Sequence, residues 1–270
     1  MLKQYKPTLD KLTKIVGKSH VLIDEQDTRH YRQGIRFGEG KVLAVVCPGT
    51  LLEQWQALQT IIEADCVVIM QAANTGLTGG STPYGDEYDR PVIIMSTRRL
   101  QGIQVILDGK QVVCLPGATL DNLERTLKPY NREPHSVIGS SCIGASVLGG
   151  VCNNSGGALV RRGPAYTEMA LYARVNESGE LELINHLGID LGNTAEEILT
   201  RLQKQDYETG QVTTQTTQLA SDNRYAHDVK QVDADSPARF NADPTRLYEA
   251  SGSAGKVCVF AVRLDTFEKV

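Results

Sequence analysis

The chain has no apolar run close to the roughly 18 residues that a membrane-spanning helix needs. Its first twenty residues, MLKQYKPTLDKLTKIVGKSH, interleave charges with apolar positions and lack the unbroken apolar centre of a secretory signal. Any membrane contact is therefore expected to be peripheral, or to come from a segment outside this sequence. Basic charge is not in excess: 28 Lys and Arg stand against 32 Asp and Glu, a formal net charge of -4. That balance argues against nucleic acid as a partner, which usually requires a basic face. The pairs Arg98-Arg99 and Arg161-Arg162 are too sparse to track a phosphate backbone. None of the six cysteines (Cys47, Cys66, Cys114, Cys142, Cys152, Cys258) has CxxC spacing, and no Cys/His cluster has metal-ligand spacing. No metal site is expected, and the thiols read as reduced, mostly buried small hydrophobes.

What is present fits a soluble fold. Apolar residues make up 41% and charged residues 22% of 270, enough for one large domain or two modest ones with a sizeable core. Leu9, Leu12, Ile15 and Val16 carry helical spacing. The run VLAVVC (42–47), closed by Pro48-Gly49, predicts a buried strand, and Thr50 caps a helix carrying Leu51, Leu52, Trp55, Leu58, Ile61 and Ile62. A second buried strand is predicted at 67–70. Strand, helix and strand in about thirty residues predict a βαβ unit with parallel pairing. Further strands are expected at 92–95, 103–107 and 111–115, a helix at 119–127, a hairpin over 171–184 turned at Glu177-Ser178-Gly179, and a last strand at 257–264. The polar stretch 203–231 predicts a mobile surface excursion or an insertion. The end of the chain just after a strand, at DTFEKV, predicts that the natural protein continues.

Two segments are rich in glycine and small polar residues, and the first cannot be regular structure. AANTGLTGGSTP, from Ala72, follows a strand directly. Its glycines let a ligand approach the backbone, and successive N–H groups in such a turn form a concave nest for anionic oxygens. Thr75, Thr78 and Ser81 add hydroxyls. A diphosphate wants these features; an ordinary surface loop is the alternative. No lysine completes a Walker loop, and Pro83 with the polar stretch 85–90 follows, so no G-x-G-x-x-G opens a helix. The second segment runs from Ile138 to Gly157, IGSSCIGASVLGGVCNNSGG. Small residues over twenty positions suit an extended cofactor lying against the backbone, or tight packing between backbones.

These two segments together resemble the FAD-binding domain of the vanillyl-alcohol-oxidase (PCMH-type) flavoprotein superfamily. Asn74 to Gly80 is similar to its pyrophosphate loop. The stretch from Ala145 to Gly157 is similar to its A-T-I-G-G-x-x-x-x-N-x-G-G motif, with Leu148 where glycine is usual. Gly255-Lys256-Val257-Cys258-Val259-Phe260 is similar to its late strand motif. Within the superfamily, MQAANTGLTGGSTP, REPHSVIGSSCIGASVLGGVCNNSGG, RRGPAYTEM, NHLGIDLG and PARFNADPTRLYEASGSAGK resemble the bacterial quinone-dependent D-lactate dehydrogenase family nearly end to end. The match is weakest across 203–231.

The resemblance implies an α+β fold in which two subdomains, divided near residues 100–115, clasp FAD, with 1–270 forming the PCMH-type domain. It implies that Ala72, Ala73, Asn74, Thr75, Gly76, Gly80 and Ser81 hold the pyrophosphate. Gly139, Ser146 and Gly156 would line the rest of the cofactor, and Val259 would close its adenine end. FAD is expected to be non-covalent, since the first loop has no histidine and Cys142 sits outside the covalent pattern. The implied reaction oxidises D-lactate to pyruvate and passes electrons to quinone, at the cytoplasmic side of the inner membrane. The substrate cap and membrane-binding segments of such enzymes are not recognisable here, so no catalytic base is named. A FAD-binding fragment without activity of its own, a non-catalytic nucleotide-binding module and a dehydrogenase of another 2-hydroxy acid are the competing readings. His135 reads as a capping or hydrogen-bonding residue rather than a base, and Glu168 and Asp190 as structural. Arg162 with Arg161 reads either as a surface pair or as facing a flavin or substrate carboxylate.

Overall fold

The computed structural model describes residues 3–135, 143–156, 162–236 and 248–269. The chain divides into two compact units, Met1–Leu100 and Gln101–Val270.

The first unit is built on a four-stranded sheet with the order β1-β2-β4-β3, comprising β1 (Val21–Leu22), β2 (Ala44–Val46), β3 (Val67–Gln71) and β4 (Val92–Ser96). Helix α1 (Lys6–Val16) buries Leu9, Leu12 and Val16 and packs on α3 (Leu51–Glu63), which buries Leu51, Trp55, Leu58 and Ile61. Between them in sequence lies α2 (Glu25–Arg32), and Tyr31 near its end packs on a cluster of Val45, Cys47 and Ile94. Strands β2 and β3 are parallel, as their short helical connection requires, but they do not pair with each other. Strand β4 lies between them, with Ile94 opposite both Val45 and Ile69. The expected βαβ unit therefore spans one strand position. This placement also explains burial: the inner strands β2 and β4 are wholly buried, whereas β3, at the sheet edge, is half-buried along four of its five residues.

The Thr50 hydroxyl accepts a hydrogen bond from Glu53 N (3.1 Å), and the Glu53 carboxylate accepts one from Gly49 N (2.6 Å). The first bond satisfies a donor that the first turn of α3 leaves open, and the second ties the preceding residue to that turn. Thr50→Ala is expected to lower unfolding free energy by about 1 kcal/mol in a denaturant titration.

The second unit is an antiparallel sheet of order β5-β6-β10-β8-β9: β5 (Ile103–Ile106), β6 (Gln111–Cys114), β8 (Ala170–Val175), β9 (Leu181–Asn185) and β10 (Cys258–Asp265). A separate small ladder pairs β7 (Arg132–Glu133) with β11 (Phe267–Glu268). The hairpin β8–β9 turns through Gly179 at φ 81. Helices α4 (Leu120–Leu127) and α5 (Val147–Cys152) join the sheet in one apolar core with Val112, Cys114, Tyr172, Val259, Val262 and Leu264. The other side chains of β10 include Arg263, 1% exposed, whose guanidinium donates to Leu187 O (3.0 Å), Gly188 O (3.3 Å), Thr213 O (2.8 Å) and Gln111 Oε1 (2.7 Å).

Helix α6 (Ala195–Lys204), capped by Thr194, was not expected, although Ile198, Leu199 and Leu202 carry its spacing. The polar stretch after it holds little regular structure beyond a turn at Thr209–Gln211 and α7 (Tyr225–Asp228). Backbone bonds join parts of it to the sheet and its loops. Thr213 N donates to Gly188 O, Glu168 N to Leu219 O and Asp265 N to Ala220 O, and Val212 and Ala220 are buried.

Candidate cofactor site

In the first unit the glycine loop leaves the C-terminal end of β3, where ligand loops gather in parallel sheets. Gln71 closes this strand and is 2% exposed; its amide donates to Tyr31 O (2.8 Å) and to Ser81 O (2.7 Å). One buried side chain thus ties both ends of the loop. The sequence signal for Gln71 was a lone polar residue ending an apolar strand just before the glycines. Asn74 turns the chain at φ 55; its amide donates to Gln33 O (2.8 Å), and its carbonyl accepts from the Ser81 hydroxyl (2.8 Å). Asn74 and Ser81 therefore spend their side chains on holding the loop together, and what they can offer a ligand is backbone. Ala72, Ala73 and Thr75 are half-buried, while Gly76 and Gly80 are exposed.

The glycines of this loop fall into two kinds. Gly79, at φ 74, has Phe37 O 3.0 Å from where a Cβ would stand, so backbone conformation and crowding both demand glycine. Gly76 and Gly80 lie outside the positive-φ region, and a Cβ on either would meet nothing within 4 Å.

In the second unit, the segment around Ser146 is clasped to the start of α4. Leu120 N donates to Ala145 O and Val147 N to Ala118 O. The middle of the segment forms the short α5. The Ser146 hydroxyl caps it, accepting from Gly149 N (3.0 Å). Beyond α5, Asn154 turns the chain at φ 48; it is 6% exposed, and among the described residues no partner reaches its Oδ1. Gly156 is half-buried, and Gly139 and Cys142 lie outside the described residues. Val259 is buried on β10 opposite Tyr172, at a register shift between Val259 and Ala261. The turn before that strand is fixed to α5, Gly252 N donating to Val151 O and Ala254 N to Cys152 O.

Several side chains weighed as functional have structural partners. Arg162, 8% exposed, donates to Pro134 O (2.9 Å) and the Glu133 carboxylate (2.7 Å) and lies 5.1 Å from the Phe267 ring centroid. It is no surface residue, and Arg161 lies outside the described residues. Glu168 accepts from the Tyr166 hydroxyl and from Leu219 N, and Asp190 accepts from Gly192 N. The described cysteines are free thiols, and burial pushes that of Cys114 up to about 12. No cluster of metal-ligating side chains occurs among the described residues.

His135 is 2% exposed, and burial, reinforced by the neighbouring Arg162 charge, lowers its pKa from 6.5 to about 4. Between those values the unfolded chain binds a proton that the folded chain excludes, so stability falls as pH drops from 6.5 towards 4. Denaturant titrations at pH 5 and pH 7 are expected to show this loss, and His135→Leu to reduce it.

The domain family whose description is "FAD binding domain" matches residues 42–182. The quinone-dependent D-lactate dehydrogenase of Haemophilus influenzae is 62% identical over 259 residues, covering 96% of this chain and 46% of that protein. That of Escherichia coli is 58% identical over 263 residues, covering 97% and 46%. The chain thus spans about half the length of the curated relatives it matches. Among solved structures, an alkyldihydroxyacetonephosphate synthase aligns with a TM-score of 0.62 at 12% identity, covering 98% of this chain and 40% of that one. A substrate-bound p-cresol methylhydroxylase aligns with a TM-score of 0.60 at 12% identity, covering 99% and 44%. At such identities these neighbours establish the fold, an α+β fold shared with PCMH-type flavoproteins. With the family match extending over more than half of its residues, the chain belongs to the FAD-binding domain family.

Proposed function

We propose that this chain is the FAD-holding part of a quinone-dependent D-lactate dehydrogenase. It would oxidise D-lactate to pyruvate and pass the electrons to quinone. The observation that carries the reading is the identity of 62% and 58% to two such enzymes across nearly the whole chain.

The residues present fit FAD. A diphosphate needs backbone donors with no side chain in the way, and the open space over Gly76 and Gly80 provides that. Gly144 in the second unit, at φ 87, has the same open space. The buried Asn154 Oδ1 is an acceptor awaiting a donor, and FAD is rich in hydroxyl and N–H groups. The 72–76 backbone with Gly80 and Ser81 would hold the pyrophosphate. Gly139, Ser146 and Gly156 would line the remainder, and Val259 would lie at the adenine end. No described histidine stands in the first loop, and the cofactor is taken as non-covalent. When bound, FAD supplies the two-electron acceptor for hydride from C2 of a 2-hydroxy acid. This chain's own residues orient that acceptor and set its surroundings.

No described helix is long and apolar enough to cross a membrane. Contact with the cytoplasmic side of the inner membrane is assigned to segments outside this chain. The test is the absorbance of FAD-loaded protein under anaerobic conditions, with D-lactate and L-lactate added separately. Bleaching by D-lactate alone is expected. Bands that persist with D-lactate would refute lactate oxidation by this chain, and bleaching by a different 2-hydroxy acid would reassign the substrate.

A further inference from the structure

We propose that a cleft beside the glycine loop of the first unit docks the ring of the quinone that accepts the electrons. This rests on the reading of the chain as part of a quinone-dependent dehydrogenase. The cleft has a volume of about 650 Å³, and Gln33, Arg36, Phe37, Glu39, Tyr84 and Gly85 stand in its lining. That size lies in the range of small-molecule sites. Phe37 is 65% exposed and Tyr84 80%, which makes them the two most exposed aromatic side chains among the described residues. Both line this one cleft, and large apolar side chains gathered at a surface mark a binding site.

The turn that carries Phe37 is fastened to the glycine loop. The Asn74 amide donates to Gln33 O (2.8 Å), and Gly34 N donates to Gly38 O across the turn (2.8 Å). A Cβ on Gly38 would collide with the Thr82 hydroxyl, and one on Gly79 would stand 3.0 Å from Phe37 O, so turn and loop lie in close contact. On the opposite wall, Tyr84 N donates to the Tyr88 hydroxyl (3.0 Å) and Gly85 N to Glu39 O (2.8 Å). Both rings thus stand on braced backbone next to the loop proposed for the pyrophosphate. A quinone ring is flat and apolar on its faces and carries two carbonyl oxygens at its edge. Phe37 and Tyr84 offer it aromatic faces. Arg36 is exposed, and its guanidinium has no hydrogen bond or ion pair among the described residues, so its N–H groups are open to a carbonyl oxygen. The Glu39 carboxylate in the same lining disfavours an anionic ligand, and a quinone is neutral. The reaction balances: the 2-hydroxy acid gives up two electrons and two protons in becoming the 2-oxo acid, the electrons pass by way of the cofactor, and the quinone takes up two electrons and two protons to become the hydroquinone.

The probe is a ubiquinone with a single isoprene unit, whose ring is fully substituted and so does not add thiols. Its binding to the purified chain is measured by isothermal calorimetry, alongside the FAD dissociation constant by flavin fluorescence. The wild type is expected to bind the quinone saturably. Phe37→Ala combined with Tyr84→Ala is expected to weaken quinone binding about tenfold, and Arg36→Gln about fivefold, with FAD affinity kept within about twofold. All three side chains are exposed, so the variants are expected to melt with the wild type. Unchanged quinone affinity in the double variant overturns the cleft, as does equal weakening of quinone and FAD. A wild type that takes up FAD but binds no quinone also overturns the cleft and leaves the FAD reading standing. A wild type that takes up no FAD overturns that reading and the cleft with it.

Discussion

Gly76→Val and Gly80→Val are expected to fold as the wild type does and to lose FAD affinity by about 100-fold each, equivalent to ~2.7 kcal/mol. The folded chain gives no reason for glycine at either position. Neither lies at positive φ, and an added Cβ meets nothing within 4 Å. The empty space is what a diphosphate laid on the loop would occupy, and a branched side chain would hold its oxygens away from the backbone N–H groups. Gly79→Val is the contrast. There the backbone is at φ 74 with Phe37 O 3.0 Å from the Cβ position, so the cost falls on folding, at roughly 1–2 kcal/mol for the backbone conformation alone. Melting without FAD and fluorescence titration with FAD separate the two behaviours. Wild-type affinity in Gly76→Val and Gly80→Val would mean that the cofactor does not lie on this loop.

Arg263→Met is expected to cost about 3–5 kcal/mol of unfolding free energy, the largest single effect on stability. Methionine matches the aliphatic stem but leaves Leu187 O, Gly188 O, Thr213 O and Gln111 Oε1 without their donor in a site 1% exposed. The carbonyls of Leu187, Gly188 and Thr213 belong to segments that carry almost no regular structure, and a single guanidinium gathers them onto β10. Arg263→Lys keeps the charge but has one nitrogen in place of a planar fork, so an intermediate loss is expected. Denaturant unfolding measures both; a loss under 1 kcal/mol in Arg263→Met would show that these loops hold without it.

Much of the fold was legible where local chemistry decides it. Thr50 and Thr119 cap the helices they were expected to begin, and the hairpin turns near Gly179. What stayed hidden depends on contacts far apart in sequence. Nothing in residues 42–70 says that Val92–Ser96 will slot between the two strands flanking α3, because a parallel strand's neighbour is chosen by the whole sheet. Composition at 203–231 reads as loose, but the anchors at Thr213, Leu219 and Ala220 are backbone bonds, which composition does not report.

The candidate site divides in the same way. The glycine segments stand out because cofactor loops need small residues. Gln71 ties the first loop through burial and bonding partners, which only three dimensions reveal. Asn74 and Ser81, expected on the pyrophosphate, were legible as loop residues, yet their bond to each other was not.

The most direct test of the account is titration of the purified chain with FAD and, separately, with FMN, followed by flavin fluorescence. If the 72–81 loop holds the pyrophosphate and Val259 the adenine end, as proposed, uptake saturates at one FAD per chain and FMN binds more weakly by at least about tenfold. Equal binding of the two flavins would contradict the placement of the pyrophosphate and adenine, and no uptake of either would contradict the account as a whole.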